Sequence, residues 1–219
     1  MFIAIVPAHN EEKNIGSVIR NLFEHVDKVA VVDDCSSDET AKTAKEAGAV
    51  VLRHELNRGQ GAALQTGHEH ALKINADYAV HFDGDGQFDA DDIKPALEKM
   101  KESGADILFG TRFLDSRSNI PWFKKYLLLP AGRLINWLLT GIKLSDAHNG
   151  FRILNKKALE KIIITQDGMA HASEILSLVK KHKLKYIEFP VKVTYSEFGQ
   201  RLGGGLKILR DLVMGRFVE

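Results

Sequence analysis

The sequence holds very little cysteine: Cys35 is the only one in 219 residues. That excludes an internal disulfide and suits a reducing, cytoplasmic setting. Net charge is almost missing too, at +1. A nucleic-acid-binding chain usually carries a strong basic excess, so no nucleic-acid partner is expected. No apolar run approaches the ~20 residues that span a bilayer, and no repeat, low-complexity tract or linker interrupts the chain. The opening Met1–Val6 is apolar but has no basic residues before it and runs into Pro7, so it reads as a buried strand rather than a signal peptide. What is abundant is apolar content, 44% of residues, enough for one sizeable buried core.

The first half alternates β-branched runs with helical periodicity, the pattern of a mostly parallel sheet covered by helices in an α/β fold. Strands are expected at Ile3–Val6, Val29–Val32, Val50–Leu52, Tyr78–Phe82 and Ile107–Phe109. A helix is expected to open at Asn10-Glu11-Glu12 and continue through Ile15, Val18, Ile19 and Leu22. Others are expected from a cap at Ser37 or Asp38 to Gly48, over Gly61–Ile74, and from Asp91 to Ser103. The second half is less regular and is expected to extend the same unit.

Polar groups gather where the strands stop, and ligands of open parallel sheets bind beyond those carboxyl ends. Asp83 and Asp85, two apart at the end of an extended strand, can turn both carboxylates to one side. With open coordination positions and an oxygen from Gln87, they suit Mg²⁺ or Mn²⁺ holding a diphosphate. A solvated acidic turn is the plain alternative. Asp33 and Asp34 close another strand and can accept hydrogen bonds from a base or a ribose. Pro7-Ala8-His9-Asn10-Glu11 is a similar strand exit. Asn57-Arg58-Gly59-Gln60-Gly61 precedes a helix, so its backbone N–H groups could face an anion. It has neither dinucleotide-fingerprint nor Walker spacing.

Taken together, Pro7…Asn10-Glu11, Val32-Asp33-Asp34…Ser37-Asp38…Thr40, Asn57-Arg58-Gly59…Gly61, Asp83-Gly84-Asp85…Gln87, Gly110-Thr111-Arg112 and Asp146…Asn149-Gly150-Phe151-Arg152 resemble glycosyltransferase family 2. The branch they look most like is the dolichol- or polyprenyl-phosphate sugar synthases. The resemblance implies a GT-A fold, Rossmann-like in its nucleotide-sugar binding, over a catalytic domain of residues 1–205. It implies an inverting transfer from a UDP- or GDP-sugar to a polyprenyl phosphate, with Mg²⁺ or Mn²⁺. Pro7, Ala8, Asn10, Glu11, Asp33, Asp34, Gly59 and Gly61 are the implied nucleotide-side residues. Asp83, Asp85 and Gln87 are implied for metal and diphosphate, and Arg112, Asp146, Gly150 and Arg152 for the phosphate and acceptor side. Asp85, Arg112, Asp146 and Arg152 are the catalytic candidates. In the family an arginine followed by glycine, serine and lysine often lies near the end of the catalytic domain. Arg201, in Phe198-Gly199-Gln200-Arg201-Leu202-Gly203-Gly204-Gly205-Leu206-Lys207, is similar to it, but the serine has no counterpart, and a plain surface loop fits equally.

Leu127, Leu128, Ala131, Leu134, Ile135, Leu138, Leu139 and Ile142 recur at helical spacing, with Trp122 and Trp137 and flanking lysines and arginines. Such a helix can lie in a membrane interface or simply pack on a core. Residues 206–219 form a second amphipathic stretch. Family members often continue there into transmembrane helices. This sequence stops at Glu219, so the expectation is peripheral binding at the cytoplasmic face, a membrane partner subunit, or a longer parent chain. A saccharide or protein hydroxyl acceptor, with Asp146 as base, is the competing enzyme reading. A non-catalytic binding domain is the other class. His68 and His70, two apart on a helix, face different directions, and His148 carries no ligand signature. Cys35 reads as structural.

Overall fold

The structure, a computed structural model, describes residues 1–115, 117, 141–147 and 149–194. The expectations for Arg201, for His148, for the helix carrying Trp122 and Trp137, and for the 206–219 stretch lie outside the described residues. Of that helix's apolar stripe only Ile142 is described, and it is buried in the core.

The strands are β1 (Phe2–Ala8), β2 (Lys28–Asp33), β3 (Val50–Arg53), β4 (Tyr78–His81), β5 (Ile107–Thr111), β6 (Arg152–Asn155) and β7 (Tyr186–Pro190). They form one seven-stranded sheet in the order β3-β2-β1-β4-β6-β5-β7. Every pairing is parallel except those of β6, which runs antiparallel to both β4 and β5.

Strand periodicity divides the apolar residues between two layers. Phe2, Ala4, Val6 and Ala8 of β1 enter one core, while Ile3 and Ile5 enter the other. The first core takes the buried faces of α1 (Ile15–Leu22), α2 (Thr40–Glu46) and α4 (Ile93–Ser103). The second takes α3 (Gln60–Lys73), α5 (Lys156–Lys161) and α6 (His171–Lys181). Helix α1 buries Ile15, Val18, Ile19 and Leu22, the i, i+3, i+4, i+7 stripe of an amphipathic helix.

Two differences from expectation matter for the site. Helix α1 begins at Ile15 rather than Asn10, because the 9–12 segment is bonded elsewhere. The N–H groups of Asn10, Glu11 and Glu12 donate to Ser36 Oγ, Thr40 Oγ1 and Asp38 Oδ2, in the loop after β2 and at the first residue of α2. The second half also supplies two strands that the sequence pattern did not mark. Since β6 runs opposite to β4, its amino end arrives at the carboxyl edge of the parallel strands. Arg152 pairs with His81, which brings Asn149–Phe151 beside Phe82 and Asp83.

Candidate functional site

A cleft of about 300 Å³ opens at the carboxyl ends of β1, β2 and β4, lined by Pro7, Ala8, Glu11, Asp34, Gln60, Asp83 and Asp85 among others. Asp83 Oδ1 accepts a hydrogen bond from Gln60 Nε2 at 3.0 Å, and Asp85 Oδ1 accepts one from the Gln87 N–H at 3.0 Å. Burial pushes the Asp83 carboxyl up to about 6, and the negative charges of Asp85 and Glu11 push the same way. Burial and these like charges outweigh the opposing pull of Arg152, so an added cation would relieve the Asp83 carboxylate. Among the described residues no three His, Cys, Asp or Glu side chains gather closely enough to hold an ion by themselves. Asp83 and Asp85, with Gln87 nearby, fit a hard divalent ion that takes its remaining oxygens from a diphosphate.

The neighbouring acidic residues are differently engaged. Asp33 is fully buried and does not line the cleft. Its Oδ1 accepts from the Ser36 N–H at 3.0 Å, while Oδ2 has no hydrogen-bond partner and faces Arg53 Nε at 3.3 Å. Asp34 accepts from the Arg58 and Gly59 N–H groups and from His54 Nδ1. Burial alone would raise its pKa, but these donors hold it below the ordinary carboxylate range. Asn10, at φ +58°, bonds through Oδ1 to the Ser37 N–H.

The turn before α3 is not a free anion cradle. With the Arg58 and Gly59 N–H groups on Asp34, those of Gly61 and Ala62 both donate to the Asp167 carbonyl. The glycines serve close approach instead: a Cβ on Gly61 would lie 1.9 Å from the Gln166 carbonyl oxygen. The acceptor in the 166–168 backbone is remote in sequence, so only the fold reveals it.

On the other side of Asp83 lies the second group of predicted residues. Asp146 is buried and gripped by Arg112, whose Nε and Nη2 donate to its two oxygens at 2.6 Å each. The Arg112 N–H adds a third bond at 3.1 Å. Ser145, next in chain, donates its N–H and hydroxyl to Glu188 on β7, and its hydroxyl also meets Thr111 Oγ1. The segment Ser145-Asp146 is thus tied to β5 and β7. Gly150 packs against Asp83, and a Cβ there would come 2.5 Å from Asp83 Oδ2.

Arg152 is 2% exposed, and its Nε has no hydrogen-bond partner. Burial draws its pKa down to about 10, against the pull of Asp83 and Asp146. Among the described residues, the side chain makes no hydrogen bond or ion pair. Arg112 and Arg152 are therefore opposites, one neutralised by a carboxylate and one not. Behind Arg152 lie two histidines that spacing alone did not single out. His68 and His81 are both about 1% exposed, with Nε2 atoms 2.7 Å apart and rings stacked at 4.9 Å. Burial lowers His68 to about 4 and holds His81 well below its usual value.

The family model for glycosyl transferase family 2 matches residues 3–163. An uncharacterised protein of Methanocaldococcus jannaschii is 37% identical, over 96% of this chain and 90% of its own length. The UDP-N-acetylglucosamine–dolichyl-phosphate N-acetylglucosaminyltransferase of Methanococcus voltae is 33% identical, over 96% and 94%. Among solved structures, glucosyl-3-phosphoglycerate synthase of Mycobacterium tuberculosis superposes with a TM-score of 0.72 at 18% identity, covering 97% of this chain and 77% of that one. That protein was crystallised with Mn²⁺, UDP and glucosyl-3-phosphoglycerate. At such identity the likeness speaks for the fold, which is GT-A. Among the described residues no helix is long and apolar enough to cross a membrane.

Proposed function

We propose, from the premise that this chain belongs to glycosyltransferase family 2 and is a glycosyltransferase, that it moves a sugar from a UDP- or GDP-sugar to a polyprenyl phosphate with inversion and with Mg²⁺ or Mn²⁺. The observation that carries this reading is Arg152: a buried guanidinium that, among the described residues, makes no side-chain hydrogen bond, and whose pull on Asp83 is outweighed by burial and the neighbouring carboxylates. The first group calls for an anion and the second for a divalent ion on a diphosphate.

Asp83 and Asp85 would hold the ion, with Gln87 as a further oxygen donor. When bound, the ion supplies charge to the departing nucleoside diphosphate. Pro7, Ala8, Asn10, Glu11, Asp33 and Asp34 form the nucleotide side, directly or by shaping the loops around it. Arg152 attracts the acceptor phosphate and, with Arg112, orients it toward the anomeric carbon. An oxygen of that phosphate forms a bond to the anomeric carbon as the bond to the donor's β-phosphate oxygen breaks on the opposite face. The electron pair leaves with the nucleoside diphosphate. No proton need be removed, because a phosphate monoester is already anionic at neutral pH, with a second pKa of ~6.

The state of Asp146 favours this acceptor over a hydroxyl. A base for a hydroxyl needs a free carboxylate oxygen, and both oxygens of Asp146 are held by Arg112 at 2.6 Å. A polyprenyl acceptor also places the reaction at a membrane surface.

The test is transfer from radiolabelled UDP- and GDP-sugars to polyprenyl phosphate, beside unphosphorylated polyprenol and a saccharide. Product on the phosphate alone, lost in excess EDTA, is expected. Transfer only to a hydroxyl acceptor would overturn the acceptor, and full activity in EDTA would overturn the ion.

A further inference from the structure

The turn Asn57–Gly61 has the sequence of an anion cradle, yet the N–H groups on both sides of Gln60 are spent inside the fold. Those of Arg58 and Gly59 go to the Asp34 carboxylate, and those of Gly61 and Ala62 to the Asp167 carbonyl. What this bonding fixes is the residue in the middle. Gln60 is the first residue of α3, half-buried, and it lines the cleft. Its Nε2 donates to Asp83 Oδ1 at 3.0 Å. A carboxylate oxygen accepts, so the amide must turn its nitrogen toward it.

We propose that Gln60 is the positioning residue for Asp83, and that the turn around it serves the divalent ion through this one side chain. The inference rests on the reading of Asp83 and Asp85 as the pair that holds the ion. Rotation about the last bond of an aspartate side chain is soft, so its plane is set by what touches it. Asp83 is met on Oδ1 by Gln60, while the Gly150 backbone closes on its Oδ2. Asp85 is met on Oδ1 by the Gln87 N–H. Among the described residues, no hydrogen bond reaches the Oδ2 of either carboxylate. Both donors are neutral. Each therefore orients a carboxylate without cancelling the charge that an ion would use, the part that outer partners of metal ligands play. Asp34 and the Asp167 carbonyl act one step further out, by holding the main chain on either side of Gln60.

Gln60→Met keeps the length and bulk of the side chain and removes the donor. Titrated calorimetrically with Mn²⁺ in the presence of UDP, and of GDP in parallel, it should bind the ion roughly tenfold to a hundredfold more weakly than the parent. Its melting temperature in EDTA should match the parent's. In transfer assays kcat should fall, with KM for polyprenyl phosphate unchanged. A residue that only supports the fold would do the reverse, lowering the melting temperature and sparing the ion. Parental Mn²⁺ affinity in a folded Gln60→Met protein would overturn the proposal and leave the ion reading intact. Should the variant not fold, NMR of the parent decides. The Gln60 side-chain amide signal should move when Mg²⁺ is added to the protein already saturated with nucleoside diphosphate, and an unmoved signal would overturn the link. A parent that binds no Mn²⁺ would overturn the ion and the inference together. If Mn²⁺ binding weakens as expected but polyprenyl phosphate is no substrate, the acceptor reading fails and the positioning of Asp83 stands.

Discussion

The two sides of Asp83 handle charge in opposite ways. On the side proposed for the nucleotide, burial and the charges of Asp85 and Glu11 outweigh the pull of Arg152, and the Asp83 carboxyl is held up at about 6. On the side proposed for the acceptor, both oxygens of Asp146 are bonded to Arg112, while Arg152, among the described residues, makes no side-chain hydrogen bond. Asp83 and Arg152 compensate each other only in part, and an incompletely compensated buried charge is destabilising. Such residues point to ligands of opposite sign, a cation on one side and an anion on the other. Gly150 is where the sides meet, because only a residue without a Cβ lets β6 close on Asp83.

The strongest way to break this comparison is to remove the nucleotide-side charge. Asp85→Asn should lower transfer by roughly a thousandfold or more, since stabilisation of the leaving diphosphate is lost. Its circular dichroism should stay native, because Asp85 makes only a local bond to the Gln87 N–H. Asp83→Asn should behave similarly and melt no lower than the parent in EDTA, the neutral amide being easier to bury. A melting temperature well below the parent's would show that Asp83 is structural.

Next in size is the acceptor side. Arg152→Lys keeps the charge but loses the planar fork, and should cost roughly a hundredfold in kcat/KM for the acceptor. Hydrolysis of the donor should change little. Equal loss in both reactions would merge the two sides into one. Gly150→Ala tests the seam: its Cβ must displace the Asp83 carboxylate, so a fall of roughly tenfold to a hundredfold is expected. Calorimetric titration should show weaker Mn²⁺ binding, and unchanged Mn²⁺ affinity would refute the contact as a determinant.

Much of the nucleotide side is legible in the sequence, because each of its pieces ends a short β-branched strand whose partners are parallel neighbours. Val29–Val32 followed by Asp33-Asp34, and Tyr78–Phe82 followed by Asp83, declare both strand and edge. The acceptor side is legible only as motifs. Arg112 and Asp146 lie 34 residues apart, and nothing in their spacing says that each consumes the other. The reversal of β6 is equally hidden, since a four-residue strand has no signal for direction. Local rules also misplaced the start of α1: Asn10–Glu12 look like helix-starting residues until Ser36, Asp38 and Thr40 take up their N–H groups. The turn at Gly59–Gly61 reads as an anion cradle for the same reason, its acceptors Asp34 and Asp167 being remote in the chain. His68 reads as an ordinary helical histidine because its partner, His81, sits on a separate strand.

The smallest expected effect concerns the buried pair His68 and His81, and its sign can be worked out. His68 titrates at about 4 in the folded protein against an ordinary 6.5, because burial disfavours its charged form. The unfolded chain therefore takes up a proton first as pH falls. Stability from keeping His68 neutral is complete above 6.5 and is lost progressively as pH drops toward 4. Between pH 7 and pH 5.5 this one group should remove about 1 kcal/mol, a drop of roughly 2–4 °C in melting temperature for a chain of this size. His81, also buried and held neutral, adds to the slope. His68→Gln keeps an amide near Nε2 but does not titrate, so its loss of stability over the same interval should be smaller by about 1 kcal/mol. Urea melts at the two pH values measure this directly. An identical pH slope in His68→Gln would mean that His68 is not held neutral in the fold.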